Sequence, residues 1–221
     1  MSIPPKFSGL TKIASNSATA AVAQNVNSVD IFVDFVCPFS RKLFVKFDNE
    51  LIPLISEKYP NQFKFIIRPV VQPWHAFGSS VTSEALLAIN KLAPTESWNF
   101  TKALMEHQRD YFDTAIINNT RNELYQKISK FAVEQLDLTK KYNVTEEDVY
   151  KALYIREKTP EENEYENINN EITNDLKYFV RFHRALSVHV TPTISVNGVI
   201  APSIESSTSI EDLEKIFKTY L

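Results

Sequence analysis

The hydrophobic positions of the chain follow a strand pattern, then a helical period, and then a strand pattern again. Residues 29–36 are a continuous run rich in β-branched and aromatic side chains, which is typical of a buried strand. In residues 40–58 the apolar positions recur at helical spacing, and Pro53 is expected to kink or split that helix. Residues 63–71 predict a second strand. Strand, helix and strand in this order form a right-handed β-α-β unit with parallel strands.

Residues 79–186 show only helical periodicity. Two of the helices begin with capping-box spacing, in which a threonine is followed three residues later by an acidic residue: Thr120 with Glu123, and Thr145 with Asp148. Thr159-Pro160 predicts the start of the last helix, whose acidic, asparagine-rich first half is expected to be a solvated face. The predicted helices cover residues 84–92, 98–112, 123–136, 146–156 and 161–186.

Strand character returns near the C-terminus, at residues 193–196. Asn197-Gly198 is a typical two-residue hairpin turn, and residues 199–201 complete the hairpin. Ser209, with Asp212 three residues later, begins a last helix. The order of elements is therefore β-α-β, a block of helices, and β-β-α, which indicates an α/β fold whose two halves complete one sheet.

This order divides the chain into three regions. Residues 29–78 and 187–221 are predicted to form one α/β domain, and residues 79–186 a helical insertion within it. Residues 1–28 are predicted to be an irregular N-terminal arm that packs beside the first strand. The arm has no acidic residue and no arginine, so a mitochondrial address is the alternative to the cytoplasmic location that we predict.

The composition limits the partners and the compartment. The 221 residues are 43% hydrophobic and 12% aromatic, which is sufficient for a packed core. A net charge of -3 with both signs interspersed argues against nucleic acid or an anionic membrane as partner. No apolar stretch reaches the roughly 18 residues that cross a bilayer. A single cysteine rules out an intrachain disulfide and, without a signal peptide, indicates a reducing compartment. No His, Asp or Glu spacing fits zinc, so no metal site is predicted, and nothing indicates an oligomeric state.

The single cysteine, Cys37, stands where the first strand gives way to the helical pattern. At a helix N-terminus, the unpaired backbone N–H groups and the positive end of the helix dipole favour the thiolate over the thiol. The thiolate is the form that attacks electrophiles, so Cys37 is a candidate nucleophile. The alternative is that this lone cysteine is a small buried hydrophobic residue.

A second motif, Thr191-Pro192, lies just before the last hairpin. A cysteine at the first strand–helix junction and a Thr-Pro pair before the final hairpin resemble the thioredoxin superfamily, and the helical insertion resembles its DsbA-like branch. The resemblance implies a thioredoxin fold with an inserted all-helical subdomain. In that family the proline is cis, its loop faces the reactive sulfur, and the preceding residue pairs with the substrate backbone.

The resemblance also implies roles for the segment that begins at Cys37. Cys37 matches the attacking cysteine, Pro38 and Phe39 fill the variable, substrate-facing positions, and Ser40 stands in place of the resolving cysteine. A monothiol oxidoreductase is thus implied, in which glutathione or another external thiol clears the mixed disulfide. Ser40 would donate a hydrogen bond to the thiolate. The implied partners are glutathione and peptides that carry a thiol or disulfide, with glutathione as co-substrate and no tightly bound cofactor.

Two other functions stay open on the sequence. Kappa-class glutathione transferases and the related chromene-carboxylate isomerases carry Ser-Pro-Tyr/Phe-Ser at this junction. Residues 37–40 differ from that motif only by cysteine for serine at the first place, so a kappa-like transferase or isomerase is the alternative enzyme. A catalytically inactive thioredoxin fold that binds a partner is the non-enzymatic alternative.

Two further groups of residues are candidates for binding. Trp74 and His75 follow the second strand in a loop that could line the cleft above Cys37, with His75 as a proton shuttle or glutathione contact. The alternative is a structural loop in which Trp74 packs between the two subdomains and His75 is solvated. His183, with Arg181 and Arg184, is a candidate basic patch for a carboxylate, and the alternative is a solvated helix face.

Overall fold

Among residues 3–15 and 26–221, which the computed structural model describes, five strands form one mixed sheet. The strands are β1 (Thr11–Ile13), β2 (Asn27–Val33), β3 (Phe63–Pro69), β4 (Thr193–Val196) and β5 (Val199–Ile200). Their order across the sheet is β1-β3-β2-β4-β5. β2 and β3 run parallel, as predicted for a β-α-β unit, and the other neighbouring pairs are antiparallel.

The helix predicted after β2 is present but is divided into three parts. A wide π-helical turn precedes Pro53, so that this proline falls in the first turn of the helix that follows. A missing N–H group costs little at that position. The helix also begins two residues earlier than predicted, because Pro38 suits a first helical position. The three parts are α1 (Pro38–Lys46), the π-helical turn (Phe47–Leu51) and α2 (Ile52–Lys58).

Helices fill most of the chain between β3 and β4, as the periodicity predicted. Both capping boxes form, at Thr120 and at Thr145. The helix predicted over residues 98–112 ends earlier, and a 3-10 turn at Gln108–Tyr111 follows it. The helices are α3 (Ala76–Leu92), α4 (Ser97–Glu106), α5 (Asp113–Ile116), α6 (Arg121–Leu136), α7 (Leu138–Tyr142), α8 (Glu146–Leu153) and α9 (Thr173–Ala185).

The helix predicted over residues 161–186 is wrong in its first half. Residues 161–172 form turns and irregular backbone, and Thr159-Pro160 does not begin a helix. This segment offers few apolar side chains to the core, and Tyr165 is 89% exposed. A polar segment that buries no face lacks the packing that stabilises most helices, so the expected solvated helix face is absent too.

The N-terminal arm is ordered where the structure describes it, and it extends the sheet. Pro5–Leu10 forms a 3-10 helix whose Phe7 and Leu10 are buried. β1 follows and pairs with β3. The prediction of an irregular arm beside the first strand is therefore wrong for residues 3–15, which lie beside β3 at the sheet edge. Residues 16–25 of the predicted arm lie outside the described residues.

The C-terminal hairpin and last helix form as predicted. Asn197 and Gly198 both have positive φ, 52° and 85°, as the tight turn between β4 and β5 requires. Ser209 accepts a hydrogen bond from the Asp212 N–H and begins α10 (Ile210–Lys218). On one face of the sheet, the ring of Phe217 from α10 contacts the rings of Phe63 and Phe65 of β3 and of Phe47 of the π-helical turn.

The opposite face of the sheet lies under α9. The ring of Phe182 from α9 stacks on Phe32 of β2, and the Arg68 guanidinium of β3 lies 4.3 Å from the centre of the same ring. Arg68 also forms a fully buried ion pair with Asp30, at 2.8 Å from Nε to Oδ1. Helices thus pack on both faces of the central strands, whereas both residues of β5 are exposed.

Candidate active site around Cys37

Cys37 lies at the start of α1 and faces the loop before β4. It is the N-cap residue of α1, yet its side chain makes no capping hydrogen bond to that helix. Instead Sγ donates to the carbonyl oxygen of Thr191, at 3.4 Å. The peptide bond between Thr191 and Pro192 is cis. The two segments that the sequence singled out therefore meet at the Cys37 sulfur.

Two openings of the protein surface are lined by residues next to Cys37 and by its facing loop, while Cys37 itself is buried, 5% exposed, and lines neither. We call the first the His75 cavity. It holds about 300 Å³ and is lined by Val36, Pro38, His75, Tyr111, Phe112, Asp113 and Thr114. The second, the cis-proline groove, holds about 410 Å³, and its walls include Phe39, Val190, Thr191 and Pro192. The predicted substrate-facing residues Pro38 and Phe39 are thus divided between the two openings.

Ser40 is fully buried one turn along α1. Its Oγ accepts a hydrogen bond from the Asp34 N–H at 3.4 Å. Among the hydrogen bonds of the described residues, none joins Ser40 to the Cys37 sulfur. The role of Ser40 as a thiolate stabiliser therefore stays a prediction.

Asp34 is a site residue that the sequence analysis missed. Its carboxylate is fully buried and accepts hydrogen bonds from the backbone N–H groups of Val36 (3.0 Å) and Gln72 (3.2 Å). It also accepts from the hydroxyl of Ser79 (2.8 Å) and lies 2.9 Å from Nδ1 of His75. Asp34 thus joins the loop before Cys37 to the loop after β3 and to α3. The sequence feature that could have indicated this role is the position of an acidic residue within the apolar run of residues 29–36.

Gln108 is a second missed residue, and it comes from the helical region. Its side chain is buried, and Nε2 donates to the carbonyl oxygens of Phe35 (3.1 Å) and Cys37 (3.2 Å). Its amide therefore fixes the backbone that carries the thiol. Nothing in the local pattern distinguished this glutamine from a solvated one.

The loop after β3 is only partly as predicted. His75 reaches the cavity beside Cys37, where its ring is held by Asp34. Trp74 is 61% exposed, so the alternative in which it packs between the two subdomains is wrong. Its ring lies near the ring of His75, with 6.1 Å between the centroids. Whether Trp74 and His75 bind substrate stays a prediction.

Both interpretations of His183, the basic patch and the alternative of a solvated helix face, are wrong, because its side chain is buried. His183 is buried behind the cis-proline loop, with Nδ1 at 3.3 Å from the carbonyl oxygen of Val188. Burial lowers the pKa of His183, because the charged imidazolium would lose its hydration. A neutral, buried imidazole cannot join Arg181 and Arg184 in binding a carboxylate.

No cluster of three or more His, Cys, Asp or Glu side chains within residues 3–15 and 26–221 could hold a metal ion. None of the helices there combines the length and the apolar composition that crossing a membrane would require.

Comparison with known proteins gives matches by structure alone. No protein-family model matches the chain, and no curated protein matches it by sequence. A candidate protein-disulfide isomerase from Pseudomonas syringae superposes with a TM-score of 0.65 at 19% identity, over 96% of this chain and 98% of that one. MdbA, a thiol-disulfide oxidoreductase from Corynebacterium diphtheriae, gives 0.54 at 15% identity over 88% and 84%. The thiol-disulfide exchange protein alpha-DsbA2 from Wolbachia pipientis gives 0.54 at 15% identity over 90% and 83%.

These likenesses agree with the topology described above. The superpositions cover 88–96% of this chain, so they include both the sheet and the helices inserted between its halves. The predicted fold class is confirmed. The chain therefore has the DsbA-like form of the thioredoxin fold, an α/β fold with an inserted set of helices.

Proposed function

We propose that this protein is a monothiol thiol-disulfide oxidoreductase in which Cys37 is the nucleophile. The observation that carries the proposal is the position of Cys37 Sγ, at the N-terminus of α1 and 3.4 Å from the carbonyl oxygen that precedes cis-Pro192. A helix N-terminus favours the thiolate, and the thiolate is the attacking species. The names of the structural neighbours support the same reaction class.

The chemistry requires two exchanges. In the first, the Cys37 thiolate attacks a substrate disulfide, one sulfur leaves as a thiolate, and the other becomes bonded to Cys37. In the second, the thiolate of an external thiol attacks this mixed disulfide, a new disulfide leaves, and the Cys37 thiolate returns. Each exchange forms one S–S bond and breaks one. The external thiol is needed because Ser40 fills the resolving position and Cys37 is the only cysteine in the sequence.

Glutathione is the external thiol that we propose, and a cytoplasmic location would supply it at a reducing poise. Phe39 is 63% exposed beside the cis-proline groove and would contact the substrate. The backbone at Thr191 would pair with an extended substrate segment, as an added strand does. Asp34 and Gln108 would act only by holding the thiol loop in place.

The test is the turnover of a glutathionylated peptide with glutathione as reductant. The wild-type protein should release the peptide thiol and form glutathione disulfide, and Cys37→Ala should not. Conjugation of glutathione to an electrophile that survives Cys37→Ser would favour the kappa-like transferase instead. A thiol that fails to react with any small disulfide across the pH range would favour the binding protein, and either result would overturn the proposal.

A further inference from the structure

A charged cavity lies between Pro38, the residue after Cys37, and the helical region. It holds about 430 Å³ and is lined by Pro38, Arg41, Glu106, Gln108, Arg109 and Phe112. We call it the arginine cavity. Its walls share Pro38 and Phe112 with the His75 cavity and share no residue with the cis-proline groove. A substrate in the groove would therefore leave the arginine cavity free.

The arginine cavity is tied directly to the backbone of the nucleophile. Pro38 follows Cys37 in the chain and lines the cavity. Gln108, also in its wall, donates to the Cys37 carbonyl oxygen at 3.2 Å. The backbone N–H of Arg41 donates to the same oxygen at 3.1 Å. A molecule bound in this cavity would lie beside the residue that carries the thiol.

The charges that line this cavity are not neutralised within the protein. Within residues 3–15 and 26–221, neither Arg41 nor Arg109 makes a side-chain hydrogen bond or an ion pair with a carboxylate. Glu106, the one acidic side chain in the wall, likewise has no ion-pair partner there. Arg41, Glu106 and Arg109 are exposed, so their charges are open to solvent and to a ligand. Three other arginines pair with carboxylates, Arg68 with Asp30, Arg121 with Glu84, and Arg156 with Glu162, whereas Arg181 and Arg184 form no ion pair within the described residues.

This charge pattern is the complement of one small thiol. Guanidinium groups bind carboxylates through paired hydrogen bonds, and an isolated carboxylate attracts an ammonium group. Glutathione carries two carboxylates and one ammonium group around a central thiol. The cavity presents the opposite set, two guanidinium groups from Arg41 and Arg109 and one carboxylate from Glu106.

We propose that the arginine cavity binds the thiol that resolves the mixed disulfide on Cys37, and that this thiol is recognised by its carboxylates. The inference rests on the proposed function and adds its second binding site. The bound thiol would lose its proton to solvent and attack the mixed disulfide as a thiolate, while the substrate moiety occupies the cis-proline groove. The Cys37 thiolate would leave as the new disulfide forms.

The test follows the second exchange alone. Cys37 is converted, by way of its pyridyl disulfide, to a mixed disulfide with a cysteine-containing peptide. The return of the free Cys37 thiol is then timed by acid quenching and mass spectrometry with three thiols: glutathione, 3-mercaptopropionate and 2-mercaptoethanol. Each rate constant is corrected for the thiolate fraction of the attacking thiol. With the wild-type protein, the corrected rate constant should be larger for glutathione than for neutral 2-mercaptoethanol. The rate should also saturate as the glutathione concentration rises, and it should stay linear in the concentration of 2-mercaptoethanol.

Charge-removing variants give the sharpest outcome. Arg41→Gln and Arg109→Gln should each lower the ratio of the glutathione rate to the 2-mercaptoethanol rate by about two- to fivefold, as expected for an exposed ion pair. Lys42→Gln removes a neighbouring exposed charge of α1 that does not line the cavity, and it should leave the ratio as in the wild type. Glu106→Gln should raise the rate constant for 3-mercaptopropionate, which has no ammonium group, and should not raise the rate constant for glutathione.

The outcomes separate this inference from the proposed function. If Cys37 forms no mixed disulfide with the pyridyl reagent, the proposed function itself fails. If the mixed disulfide forms but the ratio is the same in the wild type, both arginine variants and Lys42→Gln, the thiol exchange stands and the arginine cavity is excluded as its binding site. If the ratio falls equally in Lys42→Gln, the effect belongs to the general charge of α1, and the arginine cavity is again excluded.

Discussion

The sulfur of Cys37 and the carbonyl oxygen of Thr191 lie 3.4 Å apart, although the two residues are 154 positions apart in the chain. This contact closes the site across β2 and β4, which are paired in the sheet and end beside it. The helical region lies between the two segments in the sequence. The arrangement therefore depends on the sheet, and the helices supply walls and supporting hydrogen bonds.

A direct test of the monothiol mechanism is Ser40→Cys. Position 40 lies one turn along α1 from Cys37, in the spacing of a Cys-x-x-Cys motif. We expect the new thiol to clear a mixed disulfide on Cys37 without an external thiol, because an intramolecular group acts at an effective concentration of about millimolar or above. Mass spectrometry of the chain after one turnover should show an internal disulfide.

The contrasting variant is Ser40→Ala, which cannot resolve the mixed disulfide. It should still depend on glutathione for peptide release. A Ser40→Cys protein that retains the same glutathione dependence would contradict the two-exchange scheme.

Asp34→Asn should destabilise the protein strongly. The buried carboxylate accepts from Val36, Gln72 and Ser79 and lies against His75, whereas an amide offers one acceptor oxygen and brings a donor into the same space. We expect a loss of about 2–4 kcal/mol in the free energy of unfolding, measured by urea denaturation. The exposed Asp110→Asn is the matched control and should stay within about 0.5 kcal/mol of the wild type.

Gln108→Leu should loosen the thiol loop without removing any reactive group. The substitution leaves the carbonyl oxygens of Phe35 and Cys37 without the donor they have now, at a cost of about 1–3 kcal/mol. Hydrogen exchange should accelerate at residues 35–41 more than in the strands. Gln126→Leu, at an exposed position of α6, is the control, and equal exchange in both variants would contradict the role given to Gln108.

Mild acid should destabilise the protein through His183. Burial lowers the pKa of His183 in the folded protein below its ordinary value of 6.5, while the unfolded chain keeps that value. Between the two pKa values the unfolded chain binds the extra proton, so stability rises with pH and is lost as pH falls below about 6.5. The loss attributable to this one group is at most about 1.4 kcal/mol per pH unit.

The measurement is the free energy of unfolding by urea at pH 7.5 and pH 5.5. His183→Gln should show a smaller difference between the two pH values than the wild type. His107→Gln removes a largely exposed histidine and should keep the wild-type difference. Equal differences in all three proteins would show that another group carries the effect.

The sequence predicted that Cys37 and Thr191-Pro192 lie together, because the signals at both segments are local. Cys37 follows a strand and precedes a helix, and Thr191-Pro192 precedes a hairpin, so the fold that they indicate brings them together. Asp34 and Gln108 could not be found in this way. Their partners lie up to 45 and 73 residues away along the chain, and only the folded packing makes a buried acid or amide useful there.

The errors in the fold have the same origin. The capping boxes predicted at Thr120 and Thr145 and the turn predicted at Asn197 are present in the structure, because each depends on interactions within a few residues. The helix start predicted at Thr159 is absent, because a helix there would have had no apolar face to bury. Tertiary packing decides whether such a polar segment forms a helix, and the local sequence pattern carries no information about that packing.

The short strand of the N-terminal arm has a practical consequence for recombinant work. β1 occupies the outer edge of β3, where Thr11 lies opposite Ile66 and Ile13 opposite Lys64. Shortened forms that start at residue 26 would expose that edge, and an uncovered strand edge recruits strands from other molecules. Self-association of such forms would then reflect the missing arm. Affinity tags are therefore better attached after Leu221, beyond α10, than in front of β1.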